Sequence, residues 1–295
     1  MCIFVADFSG CVLCSWGPYC RGKNSGPIAG HSYLGLEIDT VRKQIRVPDN
    51  KVQSLRAHIV DALSKSKLTL RQLQSLLGSL NFVCKAIAPG RAFTRRLIAL
   101  TCGLRKPHRK VRVSVGAKLD LLMWLEFFEH FNGVCPFRHL TWSTNDSIEL
   151  FTDAAASIGY GGFFRGRWFQ ARWPHEIVAL NPSIALLEFF PIVVAVHCWG
   201  SELANRKVMF RTDNVAVVHI INKQSSRCDL IMHLLHLFVC QCLRYNITFK
   251  ARHVPGIHNV IADSLSRFQV ERFRAAAPQA ELVMTPIPKL PLIAG

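Results

Sequence analysis

Apolar residues recur at helical spacing through residues 51 to 133 of the chain. In the clearest run, which Pro89 and Gly90 end, leucines lie three or four residues apart: Leu70, Leu73, Leu76, Leu77 and Leu80. Similar patterns predict helices at residues 49 to 64, 91 to 100 and 119 to 131. Two short strand-like stretches, SYLGLEID and QIRVP, come before them. Residues 31 to 133 are therefore predicted to form a β-hairpin followed by a compact helical domain.

A different pattern begins at residue 147. Five short stretches have the apolar and aromatic content of strands: SIELFTDAA, IGYGGFF, RWFQARW, KVMFRTD and ITFKARHV. The first three are joined by connections short enough for hairpins, whereas helical patterns lie between the later ones and after the last. Residues 147 to 270 are therefore predicted to be an α/β domain, a five-stranded mixed sheet with flanking helices.

The remaining segments carry weaker patterns. Residues 1 to 30 have no sustained period and are left unassigned. A zinc site at Cys11, Cys14 and Cys20 is disfavoured, because no second CxxC or histidine pair completes it. Residues 134 to 146 interrupt the helical period and are predicted to be a linker. The proline-rich residues 271 to 295 are expected to form a mobile tail rather than a packed element.

The charge of the chain indicates a polyanionic partner. Lysine and arginine number 36 against 19 acids, which leaves a net charge of +17. Residues 62 to 119 contain no acid but many cations, which indicates a basic face for a phosphate backbone. A solvated run of surface charge is the alternative, but such runs usually mix both signs.

Composition also bears on location. The chain has 11 cysteines and no secretory signal, so we expect reduced thiols and an intracellular protein, in the nucleus or the cytoplasm. The most apolar run, 184 to 199, is interrupted by Glu188, Pro191 and His197. No membrane span is therefore expected.

Four acids stand in or beside strongly apolar stretches: Asp153, Glu188, Asp213 and Asp263. Ionised carboxylates in such surroundings are costly, and four that converged would repel one another unless cations neutralised them. A two-metal site that cleaves phosphodiesters is the natural solution. Taken alone, Asp213 is equally typical of a helix cap, because a helical pattern follows it directly.

The segment HVPGIHNVIADSLSR adds two candidates to this site. Asn259 and Asp263 lie four residues apart, on one face of the predicted helix. His253 ends the preceding strand and could assist proton transfer, although a histidine at a strand end is more often a structural residue.

These residues also carry a family resemblance. The motifs FTDAA, LLEFFPIVVA, RTDNVAVV and HVPGIHNVIADSLSR, in this order, resemble the ribonuclease H domain of retroelement polyproteins, over about residues 147 to 270. The resemblance implies an RNase H-like fold and a metal set of Asp153, Glu188, Asp213 and Asp263. It also implies a mobile histidine at His253, an accompanying asparagine at Asn259, and two Mg²⁺ ions, for which Mn²⁺ could substitute.

The upstream part is similar to another piece of such polyproteins. Three of its segments resemble the primer-grip hairpin and thumb of DIRS-type retrotransposon reverse transcriptases: GPIAGHSYLGLEID, IRVPDNK and LTLRQLQSLLGSLNFVCKAIAPGRAFTRRLI. Residues 33 to 35 would be the grip turn. The resemblance implies that nucleic acid is bound by residues of both parts: Tyr33, Gly35, Arg71, Lys85, Arg91, Arg95, Arg96, Asn214 and Asn259. No YxDD-like motif occurs, so we expect a truncated element without polymerase activity.

The sequence therefore predicts a metal-dependent endonuclease that cleaves the RNA strand of RNA:DNA hybrids. A transposase or integrase would normally place its glutamate last among the acids, whereas here glutamate is second. The remaining alternative is a catalytically inactive remnant that binds hybrids, since a fold-level resemblance does not prove activity.

Overall fold

The computed structural model describes residues 30 to 39, 41, 44 to 130, 135 to 136, 142 to 143, 145 to 255 and 259 to 290. The unassigned segment, apart from Gly30, lies outside these residues, and so does the disfavoured zinc site at Cys11, Cys14 and Cys20. The described chain is a mixed α/β protein with several small sheets. We call residues 30 to 136 the helical region and residues 142 to 290 the sheet region.

The helical region has short strands and longer helices. Its strands are β1 (Gly30–Tyr33), β2 (Leu36–Asp39), β3 (Gln44–Arg46), β4 (Lys67–Thr69), β5 (Lys110–Arg112) and β6 (Cys135–Pro136). Its helices are α1 (Asp49–Ser64), α2 (Leu70–Val83), α3 (Arg95–Ala99) and α4 (Val115–His130), with a 3-10 helix at Ala88–Thr94. The helices predicted at residues 49 to 64 and 119 to 131 and the leucine-rich helix are confirmed, whereas the helix predicted at residues 91 to 100 is a 3-10 helix up to Thr94 and an α-helix only over Arg95–Ala99. SYLGLEID, predicted as one strand, is two strands, β1 and β2, joined by a turn. Two small antiparallel sheets, β1-β2-β3-β6 and β4-β5, lie among the helices.

Helix α2 shows why these residues fold as they do. The Thr69 hydroxyl accepts a hydrogen bond from the backbone N–H of Gln72, and the Gln72 side chain accepts one from the Thr69 N–H. This capping box satisfies donors that the first turn would otherwise leave unpaired. The leucines at helical spacing are all buried against the neighbouring helices. The hydrophobic stripe therefore forms the core that the sequence pattern predicts.

The sheet region alternates strands and helices after its first three strands. Its strands are β7 (Leu150–Ala155), β8 (Gly159–Phe164), β9 (Arg167–Arg172), β10 (Lys207–Thr212) and β11 (Thr248–His253). Its helices are α5 (Asn145–Ile148), α6 (His175–Val178), α7 (Ile184–Trp199), α8 (Val215–Lys223), α9 (Asp229–Arg244), α10 (Val260–Ser266) and α11 (Val270–Ala276), with a 3-10 helix at Gly200–Leu203.

The five predicted strands are present, but they form two sheets. Strands β7, β8 and β9 make an antiparallel meander, and β10 pairs with β11 in parallel. Strand β7 lies in contact with β10 without a hydrogen-bonded ladder between them, and Ser143 occupies part of the β10 edge by pairing with Val208. Ser143 falls in the segment predicted to be a linker, so part of that segment is structured.

Helix α7 is the central helix of the sheet region. Most of its side chains are buried, including Phe189, Val193 and Trp199. The stretch Ile184–Leu203 is long and apolar enough to cross a membrane by length and composition, but 67% of its most apolar window is buried inside the molecule. Packing between helix α9 and strands β7 and β8 therefore accounts for its composition.

The two regions share one hydrophobic core. The His236 ring on α9 stacks on Phe93 with centroids 4.3 Å apart, and its Nε2 lies 3.1 Å from the carbonyl oxygen of Ala92. Beside it, Arg96 donates a hydrogen bond of 3.0 Å to Asp120, which is only 1% exposed. Buried polar contacts thus join the helical region to the sheet region.

The C-terminal segment differs from its prediction. Helix α11 packs Phe273 into a small cluster with Phe163 and Trp168, and residues 277 to 287 continue along the sheet. The backbone N–H of Thr285 donates to the Trp168 carbonyl, and the Trp168 indole donates to the Glu281 carbonyl at 2.7 Å. The expectation of a mobile tail is wrong for these residues, because contacts with a distant strand cannot be predicted from the composition of the segment.

Candidate functional site

Strand pairing places three of the predicted side chains. Asp153 lies within β7 opposite Gly161 of β8, and it is 9% exposed. Asp213 directly follows β10, while His253 ends β11 and pairs in register with Thr212. Since β10 and β11 run in parallel, their carboxyl ends lie at the same edge. Asp213 and His253 are therefore neighbours at that edge, and both are exposed.

Helix α7 carries the second acid. The Ser183 hydroxyl caps the helix by accepting a hydrogen bond from the Leu186 N–H, so the helix begins at Ile184 and Glu188 falls in its second turn. Pro191 lies inside the helix and does not end it. Glu188 is partly buried, its helix packs against β7, and its carboxylate interacts electrostatically with Asp153 of that strand.

Helix α10 packs across β7 and β8 and brings three polar side chains to Asp153. The Ser266 hydroxyl, which is fully buried, donates a hydrogen bond of 2.6 Å to Asp153 Oδ2. The Asn259 amide donates to the Thr152 carbonyl at 2.9 Å and lies 3.5 Å from Asp153 Oδ1. Asp263 lies between these two residues on the same helix. Both oxygens of Asp153 are thus held from α10.

Electrostatic interactions connect the four acids to one another. Burial raises the pKa of Glu188 to about 8, and the negative charges of Asp153 and Asp213 contribute. Burial also raises the pKa of Asp153, with Asp263 and Asp213 adding to it and the Ser266 hydrogen bond opposing it. Acids from β7, α7, α10 and the end of β10 therefore share one electrostatic environment. Such mutual repulsion favours a bound cation.

Asp263 differs from the other acids because cations hold it. Arg267 Nε donates to Asp263 Oδ1 and Arg272 Nη1 donates to Oδ2, each at 2.7 Å. Partial burial raises the pKa of Asp263, but these two hydrogen bonds and positive charges outweigh it and lower the pKa overall. Arg267 and Arg272 thus already neutralise one edge of the acid cluster.

The carboxylates are spread more widely than a tight ligand cage. Among the described residues, no three of the four acids have oxygens all within 4.8 Å of one another. The group that meets that distance is Glu126, Glu129 and His130, exposed on α4. There, Glu129 pairs with Arg56 and His130 with Glu126, as is common on a solvated helix face. The four acids nevertheless offer only hard oxygen donors, which suit Mg²⁺ or Mn²⁺.

The helix-cap alternative for Asp213 is settled by its neighbour. Asn214 caps α8, because its Oδ1 accepts hydrogen bonds from the N–H groups of Ala216 and Val217. The Asp213 carboxylate has no hydrogen-bond partner in the part of the chain that the structure describes. Asp213 is therefore free to bind a cation, whereas Asn214, a predicted nucleic-acid contact, is committed to the cap.

The predicted nucleic-acid contacts of the helical region fall into two groups. Tyr33 and Gly35 lie at an exposed hairpin turn, where Leu34 and Gly35 both have positive φ, 49° and 78°. Arg71 and Lys85 are exposed on or just after α2. These positions are accessible to a large ligand.

Three neighbouring arginines have different surroundings. Arg91 is exposed and Arg95 partly exposed, and neither has an ion pair among the described residues. Arg96, in contrast, donates to the carbonyl of Gly116 and to buried Asp120. Arg96 therefore stabilises helix packing and is left out of the candidate interface.

Sequence reasoning missed Ser266, Arg267 and Arg272. A signal existed for Ser266, since it lies three residues after Asp263 and hence on the same helical face. The role of Arg272 depends on the turn that follows α10, which the sequence pattern did not reveal.

A scan against protein-family models and a search of curated proteins found no match to this chain.

Proposed function

We propose that the chain is a metal-dependent endonuclease of the ribonuclease H type, which cleaves the RNA strand of RNA:DNA hybrids. The observation that carries this proposal is the electrostatic coupling of four acids from four different elements: burial raises the pKa values of Glu188 and Asp153, the charges of Asp153 and Asp213 add to the shift of Glu188, and those of Asp263 and Asp213 add to the shift of Asp153. A cluster of carboxylates without enough cations is what a divalent-metal site requires.

The fold supports the proposal at a finer level. We propose that the two sheets act as one five-stranded RNase H-like sheet, in the order β9-β8-β7-β10-β11, because β7 lies in contact with β10. This order sets Asp153 in the middle strand and Asp213 beside it. Helices α7 and α10 both contact β7, which supports a common site for Glu188 and Asp263 beside Asp153.

The candidate residues would have three roles: binding metal ions, positioning Asp153 and transferring protons. Asp153, Glu188, Asp213 and Asp263 would hold two Mg²⁺ ions, or Mn²⁺ in their place, and these would supply Lewis-acid stabilisation of charge at the scissile phosphate. Ser266 and Asn259 keep the Asp153 carboxylate in position. His253 is exposed at the end of β11, where it could accept or deliver a proton as substrate enters and product leaves. To bind a metal ion, Asp263 would have to break its hydrogen bond to Arg267 or to Arg272.

The surplus of positive charge supports a nucleic-acid partner bound through its backbone. We propose an intracellular location, in the nucleus or the cytoplasm, consistent with the free thiols of the cysteines whose side chains are described. No polymerase activity is proposed.

One observation favours a second candidate function. The two arginines that hold Asp263 already satisfy its carboxylate, which suits a catalytically inactive protein that binds hybrids without metal. Such a protein would bind hybrids through the same basic surface, and its acids would hold no metal ions.

The deciding experiment is cleavage of a labelled RNA:DNA hybrid in Mg²⁺, with duplex DNA and single-stranded RNA alongside. We expect hybrid-only cleavage by the intact chain and a loss of at least about 100-fold in Asp153→Asn, as expected when a ligand of the reacting centre is removed. Asp61→Asn, which removes an exposed carboxylate of α1, is the matched control and should retain activity. Hybrid binding by a folded chain without any cleavage would establish the remnant instead.

A further inference from the structure

A basic cleft lies where the helical region meets the sheet region. It has a volume of about 340 Å³ and is lined from one side by Arg91 and Arg95, and from the other by Lys223, Gln224 and Ser225. Arg91 belongs to the 3-10 helix before α3 and Arg95 begins α3, whereas Lys223 ends α8. The cleft therefore draws its cations from two distant parts of the sequence.

The charge of the cleft is uncompensated. No acidic residue lines it, and Arg91, Arg95 and Lys223 have no ion pair with any residue that the structure describes. Burial raises the pKa of the lining thiol of Cys84 to about 12 even though Arg91 lowers it, so this group stays neutral. The carboxyl end of α8 contributes only about half a negative charge, which three cations outweigh. The cleft thus favours an anion.

The place of the cleft relative to the acid cluster follows from α8. This helix has nine residues, with Asp213 and Asn214 just before its first turn and Lys223 at its last. At a rise of 1.5 Å per residue, the two ends are roughly 13 Å apart. A duplex strand advances about 3.4 Å per nucleotide in B-form and less in the A-like form of a hybrid, so roughly 13 Å corresponds to about four base pairs or slightly more. One mononucleotide cannot reach both sites, whereas a continuous backbone can.

We propose that the cleft of Arg91, Arg95 and Lys223 binds a backbone phosphate of the same nucleic acid whose scissile phosphate lies at the acid cluster. The link to a scissile phosphate at the acid cluster rests on the proposed function, whereas binding of a phosphate in the cleft does not require cleavage. The cleft would fix the register of the substrate, because it holds a point about four base pairs from the reacting centre. It would also require both regions of the chain to bind one ligand.

The test measures binding separately from cleavage. Binding of a fluorescent 20-base-pair hybrid to the full chain is followed by anisotropy between 0.05 and 0.4 M salt, roughly the range over which phosphate contacts weaken. We expect Lys223→Ala and Arg95→Ala each to lower affinity about eightfold at 0.1 M salt and to reduce the salt slope by about 0.9. Lys289→Ala, which removes an exposed cation from the C-terminal segment, is the charge-matched control and should change neither.

The outcomes separate the two proposals. Equal affinities and salt slopes for Lys223→Ala, Arg95→Ala and Lys289→Ala would overturn the cleft assignment, whether or not the chain cleaves hybrids. Loss of binding in the cleft variants would support it even if the intact chain proves inactive. Competition by inorganic phosphate or a mononucleotide at micromolar concentration would show a site for free phosphate, and would also overturn the assignment to a backbone.

Discussion

At the scale of single residues, Asp153 depends on its neighbours more than the other acids do. Its carboxylate is buried and carries the repulsion of Asp213 and Asp263, and one short hydrogen bond from Ser266 opposes these effects. A buried carboxylate that loses its donor is penalised by about 1 to 3 kcal/mol. Ser266 is therefore a positioning residue for Asp153.

Replacing Ser266 tests that role. We expect Ser266→Ala to raise the pKa of Asp153 further, to lower hybrid cleavage at neutral pH about tenfold, and to move the acidic limb of the pH profile to higher pH. Ser264→Ala is the matched control, because its hydroxyl is equally buried but donates to the Val260 carbonyl within the helix. A rate loss with an unchanged pH profile would show a merely structural role.

Glu188 gives a pH dependence that is visible without any substrate. Its pKa of about 8 in the folded protein exceeds the usual 4.5, so the folded state binds more protons between these values and loses stability as the pH rises through them. We expect Glu188→Gln to remove that loss and to be more stable than the wild type at pH 9 in chelator, by about 1 kcal/mol or more.

Thermal unfolding between pH 5 and pH 9, roughly the window set by these two values, measures the effect. Glu176→Gln, at an exposed position on α6, controls for the general change in charge. Added Mg²⁺ should stabilise the wild type more than Glu188→Gln. Parallel pH curves for all three proteins would contradict a raised pKa of Glu188 in the folded protein.

At the scale of elements, the contact between α10 and β8 sets the geometry of the site. Gly161 lies opposite Asp153, and a β-carbon added to Gly161 would stand 3.0 Å from the backbone nitrogen of Ser266, within van der Waals overlap. Leu265 crosses directly above the same point. Only glycine allows α10 to lie this close to the sheet.

We expect Gly161→Ala to push α10 outward and to move Asp263 and Ser266 away from Asp153. Overpacking of this kind costs about 1 to 3 kcal/mol of folding stability. The cleavage rate should fall even under conditions where the variant is folded, because the acids lose their alignment. Gly78→Ala on α2 is the control, since nothing lies within 4 Å of its added β-carbon and a helix favours alanine. Chemical denaturation and hybrid cleavage, measured on both variants, distinguish the effects.

The elements themselves were largely predictable, and their contacts less so. The leucine spacing of α2 and the short strand patterns of β7 to β11 are local signals, and both sets of elements are present. Arg95 and Arg96 look alike in the sequence, yet only Arg96 meets Asp120 from a helix that begins nineteen residues later. Ser266, Lys223 and the pairing of Ser143 with Val208 likewise depend on distant partners. Contacts between residues far apart in the sequence produce no local pattern from which they could be predicted.

At the scale of the whole molecule, Asp120 and His236 join the two regions with opposite pH dependences. Burial raises the pKa of Asp120 to about 7, which makes stability fall as the pH rises from 3.8 to about 7. Burial lowers the pKa of His236 to about 4, which makes stability rise as the pH rises from about 4 to 6.5. The two contributions offset each other between about pH 4 and 6.5.

Asp120→Asn should expose the histidine contribution alone. We expect the free energy of unfolding of this variant to rise with pH between 4 and 6.5 relative to the wild type, by up to about 1.4 kcal/mol per pH unit. Asp61→Asn, at an exposed position of α1, should follow the wild type. Urea denaturation across this range measures the slope, and a variant curve parallel to that of the wild type would contradict the offset.

The C-terminal segment has a consequence for how copies of this chain meet one another. Strand β9 is the outer strand of its sheet, and an uncovered outer strand invites pairing with another molecule and aggregation. Thr285 lies against that strand and donates to it, and Pro286 and Pro288 follow immediately. Proline has no N–H to offer a further strand. The segment therefore covers part of this edge of the sheet, and at Pro286 and Pro288 it offers no backbone N–H to a strand of another molecule.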